Sequence, residues 1–365
     1  MDSREKGLEK TLERLLRGET PGFDEAMRLA TEADAGALEA AADELRRSLH
    51  GDVVYYNRNL HFEPTNVCVY ACRFCAFRRP VGAGEGDGAW TKGTDDLLRE
   101  LERRPVGSIT ELHVTGGVHP DRGLEWAEEL LRAVRAARPE LHVKAFTAVE
   151  IDYFARRAGL SVEETLLRLK EAGLDSLPGG GAEIFAPEVR KRIAGGKAPA
   201  QRWLEVHEAA HRLSIPTNAT MLYGHVEGWE HRVDHLLRIR ELQSRTGGFR
   251  AFVPLRYRNG NNDLSALPEI SGEEECRVFA LSRLLLGNVP HLKVYWVMSG
   301  VDRALGLLRC GGDDLDGTID DSTRIYSMAG GDEHPRFGER EMRAAIEGAG
   351  FDPVERDSLY RPVAR

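Results

Sequence analysis

Three cysteines crowd into eight residues, Cys68, Cys72 and Cys75, with the spacing C-x3-C-x2-C. Three thiolates on one loop can hold three irons of a [4Fe–4S] cluster, whereas an all-protein site would use a fourth cysteine for the last iron. Zinc is the alternative, but a structural zinc site normally has four protein ligands, and this loop offers no fourth Cys or His. The spacing therefore favours an iron–sulfur cluster with one open iron, which could chelate a small ligand.

The rest of the chain predicts the scaffold that must position this loop. After Gly51, short β-rich runs alternate with amphipathic stretches, a pattern typical of parallel β/α units. The candidate strands are 59–63, 111–115, 142–147, 175–177, 217–222, 250–254, 292–297 and 314–318. The candidate helices between them are 95–104, 124–138, 161–172, 200–213, 229–246, 272–286 and 302–308.

Eight such repeats match the size of an α/β fold of the (β/α)8, TIM-barrel type. A doubly wound open sheet is the alternative, and we disfavour it because no strand is followed directly by a dinucleotide-type glycine fingerprint. We predict a barrel over residues 51–335. An N-terminal helical segment, 1–50, would pack on it, and a C-terminal extension of helix and strand would follow at 336–365.

Residues of unusual type follow the predicted strands, which is where barrel active sites lie. The cysteines follow the first strand. The later strands are followed by TGG, AVE, PGGGAE, YGHVE, RYRNGNND and DGT, for the second to sixth and the eighth strand respectively. This clustering predicts one active site at the carboxyl ends of the strands.

With Phe74 directly before its third cysteine, the triad resembles the signature of the radical S-adenosylmethionine (SAM) superfamily. The resemblance implies a [4Fe–4S] cluster, SAM as co-substrate, an adenine beside Phe74 and a flavodoxin- or ferredoxin-type reductant. It also implies that the glycine motif after the second strand receives the methionine ammonium; its residues are Thr115, Gly116 and Gly117. Glu150 and Glu183 are candidate partners of adenosine or ribose, and Arg190 is a candidate for the methionine carboxylate, with a surface ion pair as the alternative.

Longer segments across residues 45–330 resemble the aminofutalosine synthases of the futalosine route to menaquinone. They include HGDVVYYNRNLHFEPTNVCVYACRFCAF, KAFTAVEI, SLPGGGAEIF, TNATMLYGHVE and DDLDGT. The resemblance implies a transferase that adds the 5′-deoxyadenosyl radical to 3-[(1-carboxyvinyl)oxy]benzoate. The products would be 6-amino-6-deoxyfutalosine, methionine and CO2 or bicarbonate. Hydrogen-abstracting relatives, such as dehypoxanthine futalosine cyclase or the second subunit of F0 synthase, are the alternative, and a non-enzymatic iron–sulfur carrier is a further one.

That substrate, a small aromatic dianion, needs an apolar wall and groups that bind two carboxylates. Arg256 and Arg258 alternate, so both could point the same way as a clamp, with solvated loop arginines as the alternative. The segment around them departs from the family pattern as we expect it, as does Ser327. His225 and Glu227 would face the barrel mouth. Asp316 could accept hydrogen bonds from ribose or substrate, although a solvated turn would also fit.

Composition limits the remaining classes. The net charge is -9, so nothing suggests a nucleic-acid partner. The longest apolar runs fall short of the roughly 18 residues of a membrane helix. We expect a cytoplasmic protein without membrane insertion, in which Cys276 and Cys310 are separate small core residues. The zinc-protease signature H-E-x-x-H occurs at 207–211, but its helix carries the second histidine to the bottom of the barrel, away from the catalytic face.

Overall fold

The computed structural model of the protein describes residues 3–320, 323–325, 327–331 and 335–363. The strands are β1 (Val53–Phe62), β2 (Glu111–Val114), β3 (His142–Ala145), β4 (Thr217–Tyr223), β5 (Phe249–Arg256), β6 (His291–Leu292), β7 (Asp314–Asp320), β8 (Arg336–Phe337) and β9 (Asp352–Glu355). The helices are α1 (Ser3–Leu16), α2 (Phe23–Glu32), α3 (Ala35–His50), α4 (Thr94–Glu102), α5 (Leu124–Ala137), α6 (Ala148–Ala158), α7 (Val162–Ala172), α8 (Pro187–Ala194), α9 (Ala200–Arg212), α10 (Trp229–Thr246), α11 (Gly272–Leu285), α12 (Trp296–Ser299), α13 (Val301–Leu308) and α14 (Glu339–Gly348), with a 3-10 turn at Glu85–Asp87.

Seven of these strands and one two-residue segment form a closed parallel ring. One sheet has the order β3, β2, β1, β7, and a second has the order β4, β5, β6. Single bridges pair Lys144 with Ser176 and Leu177 with Thr217, so residues 176–177 join the two sheets, and a third bridge joins Lys293 to Asp314. The predicted TIM-type barrel is thus confirmed, and the open-sheet alternative is wrong.

Two predicted strands are shorter than the sequence suggested. Residues 175–177 contribute only single bridges, and the run 292–297 is a strand only at its start, because a helix begins at Trp296. The aromatic and β-branched residues there predict a strand. However, the Trp296 indole is buried and donates a 3.0 Å hydrogen bond to the Gly317 carbonyl of β7, which anchors the turn away from the sheet.

The C-terminal extension contains a helix and a strand, as predicted, and its strand β9 joins the barrel sheet. β9 pairs in parallel with the first half of β1, residues 53–56, while β2 pairs with its second half, residues 59–62. The helix predicted in this segment is α14. Consequently residues 352–358 lie under the barrel interior, at the end away from the strand carboxyl termini.

The N-terminal helices pack outside the barrel, as expected. Arg240 of α10 donates to the Gly18 carbonyl at 3.0 Å, and Arg277 of α11 donates to the Ala33 carbonyl at 2.9 Å. Cys276 of α11 and Cys310 after α13 are buried, but the prediction that they are separate is wrong, because they form a disulfide. Cys276 and Cys310 lie 34 positions apart, and the sequence gave no sign that the two segments pack together.

The H-E-x-x-H helix is α9. His207 is fully buried with its ring 3.8 Å from that of Trp203, and His211 bonds the hydroxyls of Thr246 and Thr217 at 2.6 and 2.8 Å. Both histidines are therefore packed among protein groups, away from the active face. In the part of the chain that the structure describes, no helix is long and apolar enough to cross a membrane.

Candidate active site

A cavity of about 270 Å³ lies at the carboxyl ends of the barrel strands. Its wall includes the cysteine loop, the glycine motif after β2 and residues 178–181 after the fourth barrel segment. Apolar side chains complete it, among them Phe77, Val118, Val253, Leu255 and Ile325. This volume suits a small organic substrate, and the strand-end position is the one that the sequence predicted.

All three cysteines of the motif line this cavity as free thiols. The Cys68 sulfur accepts hydrogen bonds from the backbone N–H groups of Tyr70 and Val118, both at 3.4 Å. Burial raises the pKa of Cys72 to about 11 and also raises the pKa of Cys75. Such thiols ionise only when a cation compensates their burial, so this donor set fits an iron cluster, which Cys68, Cys72 and Cys75 would hold.

The glycine motif explains how the cysteine loop sits so close to the second strand. The Gly117 N–H donates a 2.7 Å hydrogen bond to the Thr65 carbonyl. A Cβ on Gly116 would lie 2.7 Å from the Thr65 carbonyl oxygen, and one on Gly117 would lie 2.4 Å from the Val67 oxygen. Only glycine permits this approach of backbone to backbone, and together with Thr115 it leaves a narrow groove in the cavity wall.

A mostly buried lysine that sequence reasoning missed lies beside the cysteines. The Lys197 ammonium binds the Glu183 carboxylate at 2.6 Å and lies 5.5 Å from the centre of the Phe74 ring. Burial alone would lower its pKa, but Cys72 and Glu183 outweigh burial and raise it. Phe74 and Lys197 line the cavity, whereas Glu183 lies behind the lysine and holds it in place.

The floor of the cavity carries two more lysines. Lys144 of β3 pairs with Glu111 of β2 at 2.5 Å, and Lys293, next to β6, pairs with Asp316 of β7. Both lysines and Asp316 line the cavity, and all four side chains are almost completely buried. Burial would raise the pKa of Asp316, but Lys293 outweighs it and lowers that pKa. Of the sequence candidates outside the cysteine loop and glycine motif, Asp316 is the one that reaches the cavity.

The side chains of Glu150 and Arg190 bind backbone groups of the protein. The Glu150 carboxylate caps the start of α6, accepting from the Thr147 backbone N–H at 2.7 Å, and burial raises its pKa to about 7. The Arg190 guanidinium donates to the carbonyls of Gly181, Ala182 and Ala198 at 2.6 to 2.9 Å. Neither lines the cavity, so the structure does not place either against SAM.

The candidate residues at the carboxyl ends of β4 and β5, which are the fifth and sixth strands of the barrel, also lie outside the cavity wall. His225 and Glu227 are buried in the turn after β4, where Glu227 accepts from two backbone N–H groups and pairs with Arg232 at 2.7 Å. Burial would raise the pKa of Glu227, but His225 and Arg232 lower it to about 2.

The predicted arginine clamp is already occupied by protein groups. Arg256 and Arg258 do point the same way, but Arg256 binds Glu269 at 2.8 Å. Arg258 lies 3.8 Å from the same carboxylate and donates to the Met298 carbonyl at 3.2 Å. The alternation of β5 sends Val253 and Leu255 into the cavity and Arg256 to the other face, which contradicts the clamp.

Fold and site together define a class: a TIM-type barrel whose strand-end cavity holds three free cysteines beside a glycine groove. The model of the radical SAM superfamily matches residues 62–239, and that of the CofH/MqnC C-terminal region matches residues 246–364. An aminodeoxyfutalosine synthase of Thermus thermophilus is 41% identical over 96% of this chain and 94% of its own length. The chain belongs to the radical SAM superfamily, as its sequence predicted.

Two further comparisons bear on function and fold. A 5-amino-6-(D-ribitylamino)uracil–L-tyrosine 4-hydroxyphenyl transferase of Methanopyrus kandleri is 39% identical over 94% of both chains. The crystal structure of methylornithine synthase superimposes with a TM-score of 0.73 over 94% of this chain and 97% of its own, at 14% identity, which supports the fold alone. The chain is thus an enzyme that uses a [4Fe–4S] cluster and SAM, and the carrier alternative is wrong.

Proposed function

We propose that this enzyme is an aminodeoxyfutalosine synthase of menaquinone biosynthesis. It would transfer the 5′-deoxyadenosyl group of SAM to 3-[(1-carboxyvinyl)oxy]benzoate, giving 6-amino-6-deoxyfutalosine, methionine and CO2 or bicarbonate. The observation that carries the proposal is the pair of lysines, Lys144 and Lys293, on the wall of the cavity that also holds the three cysteines. Two ammonium groups in one small pocket match a substrate with two carboxylates.

Each lysine has donors left for a ligand. An ammonium group has three hydrogens, and one carboxylate partner per lysine, Glu111 or Asp316, leaves the others free. The apolar wall, with Val118 and Leu255 among its residues, can enclose a benzene ring between the charged groups. The bound cluster supplies the electron that cleaves SAM. The chain would hold the methionine end at Thr115–Gly117 and keep water away from the radical by enclosing it.

The second candidate is a reaction that consumes tyrosine or abstracts hydrogen, as in the similar tyrosine 4-hydroxyphenyl transferases. The observation in its favour is the Asp316 carboxylate, which lines the cavity and could bind an ammonium group. Lys293 already occupies one oxygen of this carboxylate, so Asp316 offers an ammonium group fewer sites than the two lysines offer to carboxylates.

Anaerobically reconstituted enzyme distinguishes the two. One sample is incubated with reductant, SAM and the enol ether, and a second with reductant, SAM, tyrosine and 5-amino-6-(D-ribitylamino)uracil. The products are identified by mass spectrometry. We expect the adenosyl adduct from the enol ether and methionine in equal amount. Stoichiometric 5′-deoxyadenosine with the enol ether left intact contradicts the proposal and supports the hydrogen-abstracting alternative.

We further infer that an acidic flavodoxin- or ferredoxin-type carrier delivers the electron at the surface over the cysteine loop. Exposed basic residues surround that loop: the Arg73 N–H bonds the Ile193 carbonyl at 2.8 Å, next to exposed Arg192, and Arg156 bonds the Tyr70 hydroxyl at 2.9 Å. Arg73→Glu with Arg192→Glu should reduce flavodoxin-driven turnover and leave dithionite-driven turnover intact. Exposed Arg250, at the other end of the barrel, is the control for charge reversal, and equal effects of both changes argue against this surface. The cytoplasmic location stays a prediction.

A further inference from the structure

Two histidines that the sequence interpretation did not single out lie side by side in the cavity wall. His61 of β1 and His113 of β2 are directly paired in the register of these strands, and Lys144 of β3 is next in the same row. The alternation of the strands therefore points all three side chains into the barrel. The two imidazole rings are 4.9 Å apart, centre to centre, and both line the cavity.

One nitrogen of each ring has no partner in the part of the chain that the structure describes. The Nε2 atoms of His61 and His113 are buried without a hydrogen-bond partner. Buried polar atoms nearly always have one, because an unpaired atom has lost its water without gaining a partner. An unpaired nitrogen alone does not mark a ligand site, because Nδ1 of His235 and both ring nitrogens of His207 are also unpaired, and neither residue lines the cavity. His61 and His113 differ from these because both line the cavity, where a ligand can reach their unpaired nitrogens.

The environment of the pair decides what kind of group it can bind. Burial, then His61 and Lys144, lower the pKa of His113 to about 3, and burial likewise lowers the pKa of His61 despite the carboxylates of Asp316 and Glu111. Each ring is therefore neutral at pH 7 and offers one N–H donor and one acceptor nitrogen. The neighbouring ammonium groups are suited to carboxylates, so the imidazoles are left for an uncharged oxygen.

We propose that His61 and His113 bind the ether oxygen of the substrate as neutral hydrogen-bond donors, and that they hold this atom while it becomes the carbonyl oxygen of the product. This inference rests on the proposed function. In that reaction the 5′-deoxyadenosyl radical would add to the methylene carbon, and the aryl group would then move from the oxygen to the neighbouring carbon, leaving the unpaired electron on the oxygen. The bond from that carbon to the carboxylate would then break, so that the oxygen ends in a ketone, CO2 leaves and one electron returns to the cluster. The oxygen needs a fixed position and no proton, which neutral imidazoles can provide. Both residues are then catalytic residues that touch the substrate.

Ligand binding tests the contact without requiring turnover. The probes are the saturated ether 3-(1-carboxyethoxy)benzoate and its counterpart with a methylene group in place of the ether oxygen. Both keep the ring and the two carboxylates. Affinities are measured by calorimetry on cluster-loaded wild type, His61→Phe and His113→Phe. We expect each Phe variant to bind the ether about tenfold more weakly and the methylene compound with unchanged affinity, or more tightly. Equal weakening for both compounds, or none for either, overturns the proposal.

A control and an activity assay complete the test. His207→Phe is the matched control, because both ring nitrogens of His207 are buried and unpaired but the residue lies in α9 outside the cavity. His113→Gln, which restores a donor, should recover part of the affinity for the ether. If a Phe variant does not fold, His61→Gln and His113→Gln are compared with wild type for the same difference between the two compounds. Should wild type fail to convert the enol ether, the proposed function fails. Should it convert the enol ether while the Phe variants do so at the same rate, only the present inference fails.

Discussion

Gly117→Ala should separate loading of the cysteine loop from folding of the barrel. A Cβ on Gly117 would lie 2.4 Å from the Val67 carbonyl oxygen and 2.9 Å from its carbonyl carbon, and ordinary contacts begin at 3.4 Å. The loop carrying Cys68 must therefore retreat by about 1 Å, since the obstacle is backbone and not a flexible side chain. Overpacking of this kind typically costs about 1–3 kcal/mol.

The retreat acts directly on the site. Cys68 follows Val67, and its sulfur accepts the Val118 N–H from the other side of the glycine motif, so one displacement breaks both the groove and the thiol contact. We expect the iron content after anaerobic reconstitution to fall by half or more, and turnover to fall about 100-fold, the scale of a 1 Å misplacement at a reacting centre.

Iron and sulfide analysis, with circular dichroism for folding, measures this outcome. Gly86→Ala is the control, because a Cβ there meets nothing within 4 Å. An alanine variant at position 117 that binds a full complement of iron and turns over normally would refute the reasoning. It would mean that the close approach of the two backbones is not needed to place the cysteines.

Three other changes test the site further. Lys144→Met combined with Glu111→Gln removes one ammonium group without leaving a charged partner buried and unpaired. We expect the KM for the enol ether to rise about tenfold. An unchanged KM would show that Lys144 does not bind a substrate carboxylate. Arg190→Gln should lower the free energy of unfolding, measured in urea, by about 3 kcal/mol, because four hydrogen bonds to backbone carbonyls are lost. Unchanged stability with weaker SAM binding would instead support the ligand role expected from the sequence. Glu150 has a folded-state pKa of about 7, raised by burial from 4.5, so its stabilising contribution is full below about pH 4.5 and is lost as the pH rises through 7. Glu150→Gln should therefore remove a pH-dependent loss of about 3 kcal/mol, seen in unfolding curves from pH 5 to 8, and an unaltered pH dependence would show that the carboxyl group is ionised throughout.

The sequence was sufficient for the features that local spacing determines. The cysteine triad, the glycines after the second strand and most of the alternating strands and helices are local patterns, and the structure brings the first two together in one cavity. The pairing of the C-terminal strand, 352–355, with β1 could not be predicted in the same way, because the two segments lie about 300 positions apart in the chain.

Site residues predicted from their chemical type alone were wrong where another segment of the protein binds the side chain. By type, Arg256 could bind a substrate carboxylate, but in the structure it binds Glu269, 13 residues further along the chain. Arg190 likewise satisfies carbonyls of the loops on both sides of its own helix. A signal for the cavity floor was nevertheless present: Lys144 and Lys293 interrupt apolar runs, and strands of a parallel barrel are normally continuous in apolar residues. A lysine in such a run must point into the barrel and find a partner there.

The partners of those lysines connect the C-terminal segment with the cavity. Burial would raise the pKa of Glu111, but Lys144, Lys293 and Arg356 together hold it well below its usual range, so the carboxylate stays ionised opposite Lys144. Arg356, just after β9, binds Asp314 at 2.7 Å and lies 3.9 Å from Asp316, and the Ser358 hydroxyl donates to Glu111 at 2.6 Å. At the amino ends of its strands the barrel is therefore filled by charged groups and not by an apolar layer. Two ammonium groups can remain charged inside it because each is matched by an acid, and those acids are held in turn by residues 356 and 358. Truncation before β9 should therefore weaken substrate binding even where the barrel still folds.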